Sequence, residues 1–385
     1  MILTSDYATF HSLPSLPLRL IPNLLRKNKY PPYGLRKIES LTNSRIVPPN
    51  SLRVKNGEII GIYVNDPLGM SEVTRGLTEV FGEPPYFVES FKELGDRIMR
   101  LKRKLELKVI VGGPGSWELT IDVPDWIDTV LVGEAEITLP RLLKERDFPK
   151  VVYGEESDKF FPIRGPSALA EVEISRKERK IPLEVFKKEM EIQSKYHGKV
   201  NLISKDLFSY KPEEELFSLL KLASSYGKVY FSQITVESVP EVRLERVREI
   251  LGLNENNWRS PVLSTRKEAC SLKGIDEDVM KELNNNFIYP VVYVEDEMVD
   301  ELSKYKSIII PLPKSKAYYN ALYESWIHNS KDVMRINGSL SRIVEYVLYK
   351  NKETKGEYLK RLRLRGINIF NLFVIALSSL IFFKG

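Results

Sequence analysis

The residues with the clearest capacity to bind a ligand occur where two short β-branched runs end in small residues. The segment Gly112-Gly-Pro-Gly115 follows the run at 109–111, and Gly133 follows the run at 129–132. A buried parallel strand ends in this way where its carboxyl end opens into a binding crevice, because glycine permits positive φ and close approach of a ligand to the backbone. A tight turn between strand and helix would use the same residues, and for Gly-Gly-Pro-Gly taken alone this second interpretation is favoured.

Acidic residues at strand ends are further candidates. Glu134 and Glu136 directly follow the second run and are able to contact ligand hydroxyls. Acids in the first turn also favour the start of a helix, and that interpretation ranks higher. Asp206 and Glu237 follow predicted strands later in the chain, where a solvated loop acid is the favoured description. The sequence therefore offers carboxylates for ligand contact but assigns none of them to catalysis.

Histidine and cysteine are scarce. His11, His197 and His328 lie far apart without ligand spacing, which disfavours a histidine-rich metal centre. His197 closes a predicted helix just before a glycine, where a cation suits the negative helix end and glycine suits the cap. Cys270 is the single cysteine, so the chain forms no internal disulfide and no cysteine-ligated metal or cluster site. We interpret it as an inert packed side chain.

Composition sets broad limits on the class of protein. The chain has 385 residues, of which 43% are hydrophobic, and this suffices for two domains with buried cores. A net charge of +6 from 58 basic and 52 acidic residues is too small to indicate a nucleic-acid partner, and the sequence has no RNA- or DNA-binding motif. Residues 1–20 lack a basic head followed by an apolar run, so we expect no secretory signal and a cytoplasmic location.

Strand and helix patterns predict a first domain at residues 58–160. Residues 1–57 are rich in proline and are expected to form an extended lead-in with short helices at 18–26 and 34–42. The predicted strands of the domain are 58–64, 86–88, 109–111, 129–132 and 151–153, and the predicted helices are 71–81 and 92–105. Such alternation indicates a doubly wound, Rossmann-like parallel sheet whose ligand site would lie at the carboxyl ends of the strands.

A second domain is predicted at residues 166–315, after a linker at 161–166. Its expected strands are 170–175, 200–203, 229–231, 261–263, 289–294 and 307–311, and its expected helices are 183–196, 213–226, 241–251, 276–283 and 296–305. Six strand and helix units in about 140 residues are too few for the eight-stranded barrel, which typically needs about 250 residues. The predicted fold class is therefore α/β, with a partial (βα)6 TIM-like barrel after the first domain and a helical tail.

The carboxyl-terminal tail is predicted to be helical at 316–365 and apolar at 366–385. A basic run at 360–365 precedes an uncharged stretch at 367–383, which at about 1.5 Å per residue would extend roughly 25 Å, short for spanning a bilayer. Three outcomes are open: a membrane span, a helix lying in the interface, or a last helix buried against the protein. Attachment of residues 360–385 to the cytoplasmic face of a membrane is the favoured expectation.

Four strings resemble the cobalamin-binding-domain radical S-adenosylmethionine proteins, especially archaeal ones. They are residues 59–70, the segment Gly112-Gly-Pro-Gly-Ser-Trp117, the segment Val132-Gly-Glu-Ala-Glu-Ile-Thr-Leu139 and residues 170–176. The resemblance spans residues 30–263 and implies a Rossmann-like cobalamin-binding-type domain joined to a partial barrel. The positions at which it implies contact with cobalamin are Asn65, Asp66, Gly69, Gly112, Gly113, Pro114, Gly115, Gly133, Glu134 and Thr138.

Two departures from this family bear on chemistry. Its members carry Cys-x-x-x-Cys-x-x-Cys after the first barrel strand, and these thiolates hold a four-iron cluster that binds S-adenosylmethionine; here the strand at 171–175 continues through 176–180 without a cysteine. Lysine and arginine do not replace thiolates as iron ligands, so we expect neither an iron–sulfur cluster nor use of S-adenosylmethionine. The first domain has Asn65-Asp-Pro-Leu-Gly69 in place of Asp-x-His-x-x-Gly, although many radical-type relatives hold cobalamin without that histidine.

Together these features predict a degenerate family member that acts as a non-radical accessory or regulatory protein at the membrane, beside an active radical S-adenosylmethionine relative. One alternative is an enzyme or carrier that still binds cobalamin in its first domain, and another is a remnant without function. Whether the chain is an enzyme is left open. The segment of about five residues, 176–180, that follows the predicted strand at 171–175 has an ordinary length for a connection between a strand and a helix. This length favours a folded product.

Overall fold

The computed structural model describes residues 1–12, 29–81, 84–267, 272, 274 and 276–312. It is an α/β protein with two compact units. Of the described residues, those within 1–75 and 84–201 form the first unit, and those within 76–81 and 202–312 form the second. Cys270, the predicted helix at 18–26 and the tail at 316–385 lie outside the described residues. Within the described part of the chain, no helix has both the length and the apolar character needed to cross a membrane.

The strands and helices have the following bounds. The strands are β1 (Ile2–Ser5), β2 (Arg45–Ile46), β3 (Ile59–Tyr63), β4 (Lys108–Gly112), β5 (Thr129–Val132), β6 (Val151–Tyr153), β7 (Glu171–Glu173), β8 (Ser175–Arg176), β9 (Arg179–Lys180), β10 (Lys199–Ile203), β11 (Lys228–Phe231), β12 (Gln233–Thr235), β13 (Val262–Ser264), β14 (Val291–Val294) and β15 (Ile308–Pro311). The helices are α1 (Tyr7–Phe10), α2 (Tyr33–Thr42), α3 (Glu72–Phe81), α4 (Tyr86–Lys102), α5 (Thr138–Glu145), α6 (Leu183–His197), α7 (Glu213–Ser224), α8 (Leu244–Leu251), α9 (Glu277–Asn285) and α10 (Val299–Leu302). Short 3-10 helices cover Pro49–Ser51, Ser116–Thr120, Val236–Glu241 and Asp296–Met298.

The first unit is built on a six-stranded parallel sheet in the order β2-β1-β3-β4-β5-β6. The chain runs outward from β1 to β2 and then returns to place β3 on the other side of β1. The order therefore reverses between β1 and β3, and in open parallel sheets ligands bind outside the carboxyl ends of the strands at such a switch point. The parallel sheet confirms the predicted α/β class.

Strand β1 lies in the predicted lead-in, where the structure departs from the expectation. Its four residues are all buried, with Leu3 packed against Phe10 and Leu35 on one side and Ile2 packed in the cluster of Ile60 on the other. A strand buried on both faces shows no alternation of polar and apolar residues, so four residues ahead of a proline-rich stretch carry no periodic signal. Helix α2 confirms the predicted helix at 34–42.

Helices cover both faces of the sheet. Alternate strand residues, among them Ile60, Ile62, Val109 and Val111, share one core cluster with residues of α4 such as Ile98. The intervening residues Ile110 and Leu131 pack with Leu139 and Leu142 of α5 on the other face. Each fully buried aliphatic side chain contributes roughly 1.5–3 kcal/mol. The near-continuous apolar runs of β3, β4 and β5 thus follow from burial on two sides.

The prediction of a strand at 86–88 is wrong, because these residues begin helix α4. The helix buries Ser90, Phe91, Leu94, Gly95 and Ile98, which recur at the three- and four-residue spacing of one helical face. Tyr86-Phe-Val88 has high strand propensity, but this preference is weak beside the burial of a seventeen-residue amphipathic helix.

The second unit contains the strands predicted at 229–231, 261–263, 289–294 and 307–311, as β11, β13, β14 and β15. Strands β12, β13, β14 and β15 form a parallel sheet in that order. Strand β12 was not predicted and is separated from β11 by Ser232 alone. The Ser232 N–H donates to Leu202 of β10 at 3.0 Å, and its carbonyl accepts from Val262 of β13 at 2.8 Å. Backbone pairing therefore continues from β10 across this residue to β13.

A buried charged group fixes helix α2 in the first unit. The Glu189 carboxylate of α6 is fully buried and accepts hydrogen bonds from the Tyr33 hydroxyl at 2.6 Å, the Lys37 ammonium at 3.0 Å and the Ile163 N–H at 3.1 Å. Burial raises the pKa of Glu189, and the charge of Lys37 opposes this effect. These bonds join α2 to α6 across more than 150 residues of sequence.

Replacing Lys37 by methionine removes the charge that compensates Glu189. We expect the free energy of unfolding to fall by about 3 kcal/mol, because a buried carboxylate that loses its partner must remain unpaired or take up a proton. Urea denaturation measures the loss. Lys188→Met, at an exposed position of the same helix as Glu189, is the control and should change stability by less than about 0.5 kcal/mol. Equal effects of the two substitutions would contradict the assigned role of Lys37.

Candidate functional site

The Gly-Gly-Pro-Gly segment packs against the backbone at the end of β3. Gly113 has φ of 119°, and a Cβ at this position would overlap the carbonyl oxygen of Val64. A Cβ on Gly115 would overlap the carbonyl oxygen of Asn65, and the Gly115 N–H donates to Val64 at 3.3 Å. These two glycines are required by contacts within the chain, as the tight-turn interpretation predicted. On the side where a Cβ would lie, the space beside them is filled by the loop after β3.

Gly112 and Gly133 lie in more open surroundings. A Cβ on Gly112 would meet the Leu131 carbonyl oxygen at 3.5 Å, an ordinary contact distance. Gly133 is exposed and has φ of 97°, so its backbone conformation rather than its neighbours favours glycine. Gly69 has φ of 72° at the turn before α3, and Pro114 is exposed. Gly113 and Gly115 are therefore packed against backbone, Gly112 and Gly133 are more open, and Gly69 is both left-handed and packed, since a Cβ there would meet the Thr74 methyl group at 2.9 Å.

Asp66 organises the loop after β3. Its carboxylate accepts hydrogen bonds from the Ser71 N–H at 3.2 Å, the Ser71 hydroxyl at 2.6 Å and the Thr74 hydroxyl at 2.5 Å. Burial acts to raise the pKa of Asp66, but hydrogen bonds from Glu118, Ser71 and Thr74 outweigh it and the pKa is lowered. The ionised carboxylate thus fixes the chain entering α3. Asn65, immediately before it, is exposed.

Glu118 is a functional-site residue that the sequence analysis missed. It lies in the 3-10 helix Ser116–Thr120, is only 1% exposed, and accepts the Leu68 N–H at 2.8 Å. Burial and a hydrogen bond with Asp66 raise its pKa to about 8. Glu118 is therefore protonated at neutral pH and shares a hydrogen bond with the ionised Asp66. Its position between Trp117 and Leu119, both apolar, was the available signal of burial.

The acids predicted at the end of β5 are bound by arginines of the β8–β9 hairpin. Arg179 donates from both terminal nitrogens to Glu134, one of them at 3.1 Å, and Arg176 donates to Glu136 at 2.5 Å. Arg176 also forms a two-nitrogen ion pair with Glu173 at 2.8 Å. We call these five side chains the arginine–glutamate network.

The arginine–glutamate network is partly buried, and an aromatic ring lies beside its two guanidinium groups. Its side chains are 11% to 21% exposed, and the Phe160 ring lies 5.3 Å from the Arg176 guanidinium and 5.9 Å from that of Arg179. Burial acts to raise the pKa of Glu134, but the hydrogen bond from Arg179 outweighs it and the pKa is lowered. The carboxylates that were candidates for ligand hydroxyls therefore already have cationic partners within the chain.

The remaining predicted residues have structural contacts. Thr138 begins α5, is fully buried and accepts the Glu155 N–H at 3.1 Å. Asp206 accepts hydrogen bonds from the hydroxyls of Ser209, Thr235 and Ser238, so it is a loop-fixing acid rather than a free solvated one. Glu237 accepts the N–H of Arg266.

His197 lies at the helix end where it was predicted, with Gly198 at the cap, but its lowered pKa does not favour the predicted cation. It is the last residue of α6, and Gly198 caps the helix in the left-handed conformation. Its Nε2 lies 2.9 Å from the Ser167 carbonyl oxygen, and burial lowers its pKa. The imidazole therefore contacts a backbone oxygen of the segment before β7.

No metal centre is evident in the part of the chain that the structure describes, since no three His, Cys, Asp or Glu side chains there are arranged to hold an ion. A scan against protein-family models found no match to this chain. A search of curated proteins found no match either. The site must therefore be interpreted from its own geometry, which consists of a buried carboxyl pair, two packed glycines and the arginine–glutamate network.

Gly113 and Gly112 allow the packing at the end of β3 to be tested by a matched pair. Gly113→Ala should lower the free energy of unfolding by about 3 kcal/mol, because it combines a left-handed residue with overlap of the Val64 carbonyl. Gly112→Ala should change it by less than about 1 kcal/mol. Thermal or urea denaturation of both variants gives the comparison. Similar tolerance at both positions would show that the loop after β3 is not packed on Gly113.

The buried carboxyl pair predicts a pH dependence of stability. Glu118 binds a proton in the folded state at pH values where an unfolded glutamate has lost it, so folding is favoured at low pH and this contribution is lost as the pH rises to about 8. The slope should approach a loss of about 1.4 kcal/mol per pH unit above the ordinary value of 4.5.

Glu118→Gln should remove this slope, because the amide keeps a donor for Asp66 and an acceptor for Leu68 without titrating. Denaturation at several pH values between 5 and about 8 measures it. Glu106→Gln, at an exposed position, should leave the slope of the wild-type chain unchanged. A wild-type stability that is flat over this range would show that Glu118 is ionised in the folded state.

Proposed function

We propose that this chain is a non-catalytic accessory protein, a degenerate relative of the cobalamin-binding-domain radical S-adenosylmethionine proteins. The observation that carries the proposal is the arginine–glutamate network. The hairpin of β8 and β9 occupies the sequence position at which those proteins carry their cluster-binding loop, and here its arginines bind the strand-end acids Glu134 and Glu136. The segment that would bind a catalytic cluster in a relative thus stabilises the fold in this chain.

Two features of the fold support descent from such proteins. The parallel sheet of the first unit has its switch point between β1 and β3, where a Rossmann-like or flavodoxin-like domain binds its cofactor. Backbone pairing from β10 through Ser232 to β13, and onward to β15, is the arrangement expected of a partial barrel. Fold likeness alone does not carry an activity over, so the proposal concerns origin and not retained chemistry.

An iron–sulfur cluster does not fit the residues at the hairpin. Ser175 pairs with Lys180 and Arg176 with Arg179 in an antiparallel register, leaving two residues between the strands. Iron and sulfide need thiolate ligands, and the hairpin offers guanidinium, ammonium, hydroxyl and carboxylate groups only. We therefore derive no radical chemistry and no use of S-adenosylmethionine from this chain.

Cobalamin also fits poorly at the predicted contacts, which weakens the alternative of a cobalamin enzyme or carrier. The backbone at Gly113 and Gly115 faces the carbonyls of Val64 and Asn65 rather than open space. Glu134 accepts a hydrogen bond from Arg179, and the hydroxyl of Thr138 accepts one from the Glu155 N–H.

The alternative of a functionless remnant is disfavoured by the same contacts, because a partly buried network of charges persists only where the fold is maintained.

The proposed place of action is a membrane surface, beside an active relative that carries the cluster cysteines. This part rests on the sequence of the tail, in which six residues with four basic side chains, 360–365, precede the apolar stretch at 367–383. Such a pattern is typical of attachment at an anionic cytoplasmic surface. It lies outside the described residues and is independent of the arginine–glutamate network.

Cofactor content tests the proposal. Full-length protein prepared without oxygen should contain no stoichiometric iron or acid-labile sulfide, and after incubation with hydroxocobalamin and desalting its visible spectrum should show no corrinoid. The variant Arg176→Gln/Arg179→Gln frees Glu134 and Glu136 and serves as the comparison. Retention of corrinoid by the wild-type chain would support the cobalamin alternative and overturn the accessory role, whereas retention by the variant alone would show that the network closes an ancestral site.

A further inference from the structure

A cluster of aromatic rings lies at the carboxyl end of α6 in the first unit. The Tyr30 ring packs edge to face with Tyr196, with centroids 5.9 Å apart, and with His197, with centroids 5.3 Å apart. The Tyr196 side chain is nevertheless 52% exposed. The cluster is fixed to the fold, because His197 Nε2 lies 2.9 Å from the Ser167 carbonyl oxygen.

Lysines accompany these rings. The Lys29 ammonium lies over the Tyr30 ring, 5.4 Å from its centroid, and the Lys195 ammonium lies over the Tyr196 ring at 5.9 Å. Both lysines are exposed. We call Lys29, Tyr30, Lys195 and Tyr196 the lysine–tyrosine patch.

The charge around the lysine–tyrosine patch is positive on balance. Lys199 is exposed and interacts electrostatically with His197, within the ring cluster. Glu191, one turn before Lys195 on α6, is an exposed acid. The three lysines at 29, 195 and 199 outweigh this single negative charge, so the surface favours an anionic partner.

An exposed apolar side chain adjoins the patch. Leu169 is 53% exposed, and the residues on either side of it are fixed by backbone hydrogen bonds. The Ala168 N–H donates to the carbonyl of Pro31, the residue after Tyr30, at 2.9 Å, and the Ala170 carbonyl accepts from Asn201 at 2.8 Å. A surface that is already ordered loses little conformational entropy on binding.

The sequence beside Lys29 has the same charge. No acidic residue occurs between Asp6 and Glu39, and Arg26 and Lys27 come shortly before Lys29. Arg26 and Lys27 lie outside the described residues and are not included in the patch. Their charge nevertheless adds to the attraction of an anionic surface, which extends over about a Debye length in salt.

We propose that the lysine–tyrosine patch binds the anionic headgroup surface of a phospholipid membrane. This inference deepens the membrane location proposed for the accessory protein and rests on it. The ammonium groups of Lys29 and Lys195 would face lipid phosphates and carboxylates. The two tyrosines, each with an apolar ring and a polar hydroxyl, would lie at the level of the headgroups, where tyrosine is enriched in membrane proteins.

The same groups disfavour other occupants. Single-stranded nucleic acid binds by stacking its bases on ring faces, but Lys29 and Lys195 lie over the two tyrosine rings, which also contact each other edge to face. Protein interfaces are depleted in lysine. In a symmetric dimer the lysines of the two copies would face each other, since such an interface pairs a surface with itself.

The test uses the full-length chain and vesicles of phosphatidylcholine with or without about one third phosphatidylserine. Sedimentation should show tighter binding to the anionic vesicles, and added salt should weaken it. Lys29→Gln/Lys195→Gln should lower the affinity for anionic vesicles at least about tenfold, because each lysine near an anionic surface contributes to attachment. Tyr196→Ser should also lower it, through loss of the interfacial ring.

A matched control removes the same charge from another surface. Lys92→Gln/Lys104→Gln alters two exposed lysines in and just after α4. Helix α4 packs on the face of the sheet opposite to α2, the helix that Glu189 joins to α6. The control for Tyr196→Ser is Tyr153→Ser, at a position 69% exposed. Both controls should bind like the wild type.

Lysine acetylation followed by mass spectrometry locates the contact on the wild-type chain, whether or not the tail also attaches. Anionic vesicles should protect Lys29 and Lys195 and leave Lys92 and Lys104 reactive. Absence of binding to anionic vesicles would overturn the proposal. Equal binding by the wild type and Lys29→Gln/Lys195→Gln, or unprotected Lys29 and Lys195 on bound protein, would overturn it in favour of attachment by the tail alone.

Binding of single-stranded RNA that Lys29→Gln/Lys195→Gln abolishes, without binding to vesicles, would overturn the proposal in favour of nucleic acid. These readouts do not depend on cofactor content. A chain that retains corrinoid would therefore refute the accessory role separately from any result with vesicles.

Discussion

Burial of charge is the constraint on which the first unit depends. A guanidinium or carboxylate that leaves water loses several kcal/mol of hydration, and only a well-aligned partner restores it. Glu134, Glu136 and Glu173 obtain that partner from Arg176 and Arg179, which lie on a hairpin 40 to 45 residues further along the chain from the first two acids. The network therefore connects the loop after β5 to the segment that follows β7, and the two acids of that loop obtain their cationic partners from the segment.

The loops after β3 and β4 also bury carboxyl groups, which are stabilised by hydrogen bonds rather than by arginine. Asp66 and Glu118 are both buried, but no cation joins them within the described residues; at neutral pH Glu118 retains its proton and donates to Asp66. Hydroxyl and backbone donors satisfy the remaining oxygens. Together with the glycines packed against Val64 and Asn65, this pair fills the edge of the sheet with groups from the chain itself.

The sequence predicted much of this fold because burial imposes strong local patterns. Local sequence patterns were sufficient to predict several elements. These are the β-branched runs of β3, β4 and β5, the amphipathic helices α6 and α9, and the glycine cap after His197. Strand β1 was missed because four buried residues have no period, and β12 because it is separated from β11 by one residue. Contacts such as Glu118 with Asp66 escaped prediction because they join residues about fifty positions apart, and no local pattern specifies which polar groups will meet.

A buried ion pair is seldom more stable than apolar residues of similar volume, yet removing one partner costs several kcal/mol. If the chain descends from a protein with a cluster-binding loop, as we propose, this asymmetry bears on how the loop was lost while the fold persisted. Once Arg176 and Arg179 had met Glu134 and Glu136, loss of Arg176 would leave Glu136 and Glu173 without their cationic partner, whereas restoring a ligand site would require several changes together. The arginine–glutamate network would then be retained for stability alone, and any remaining function would be free to reside elsewhere on the surface.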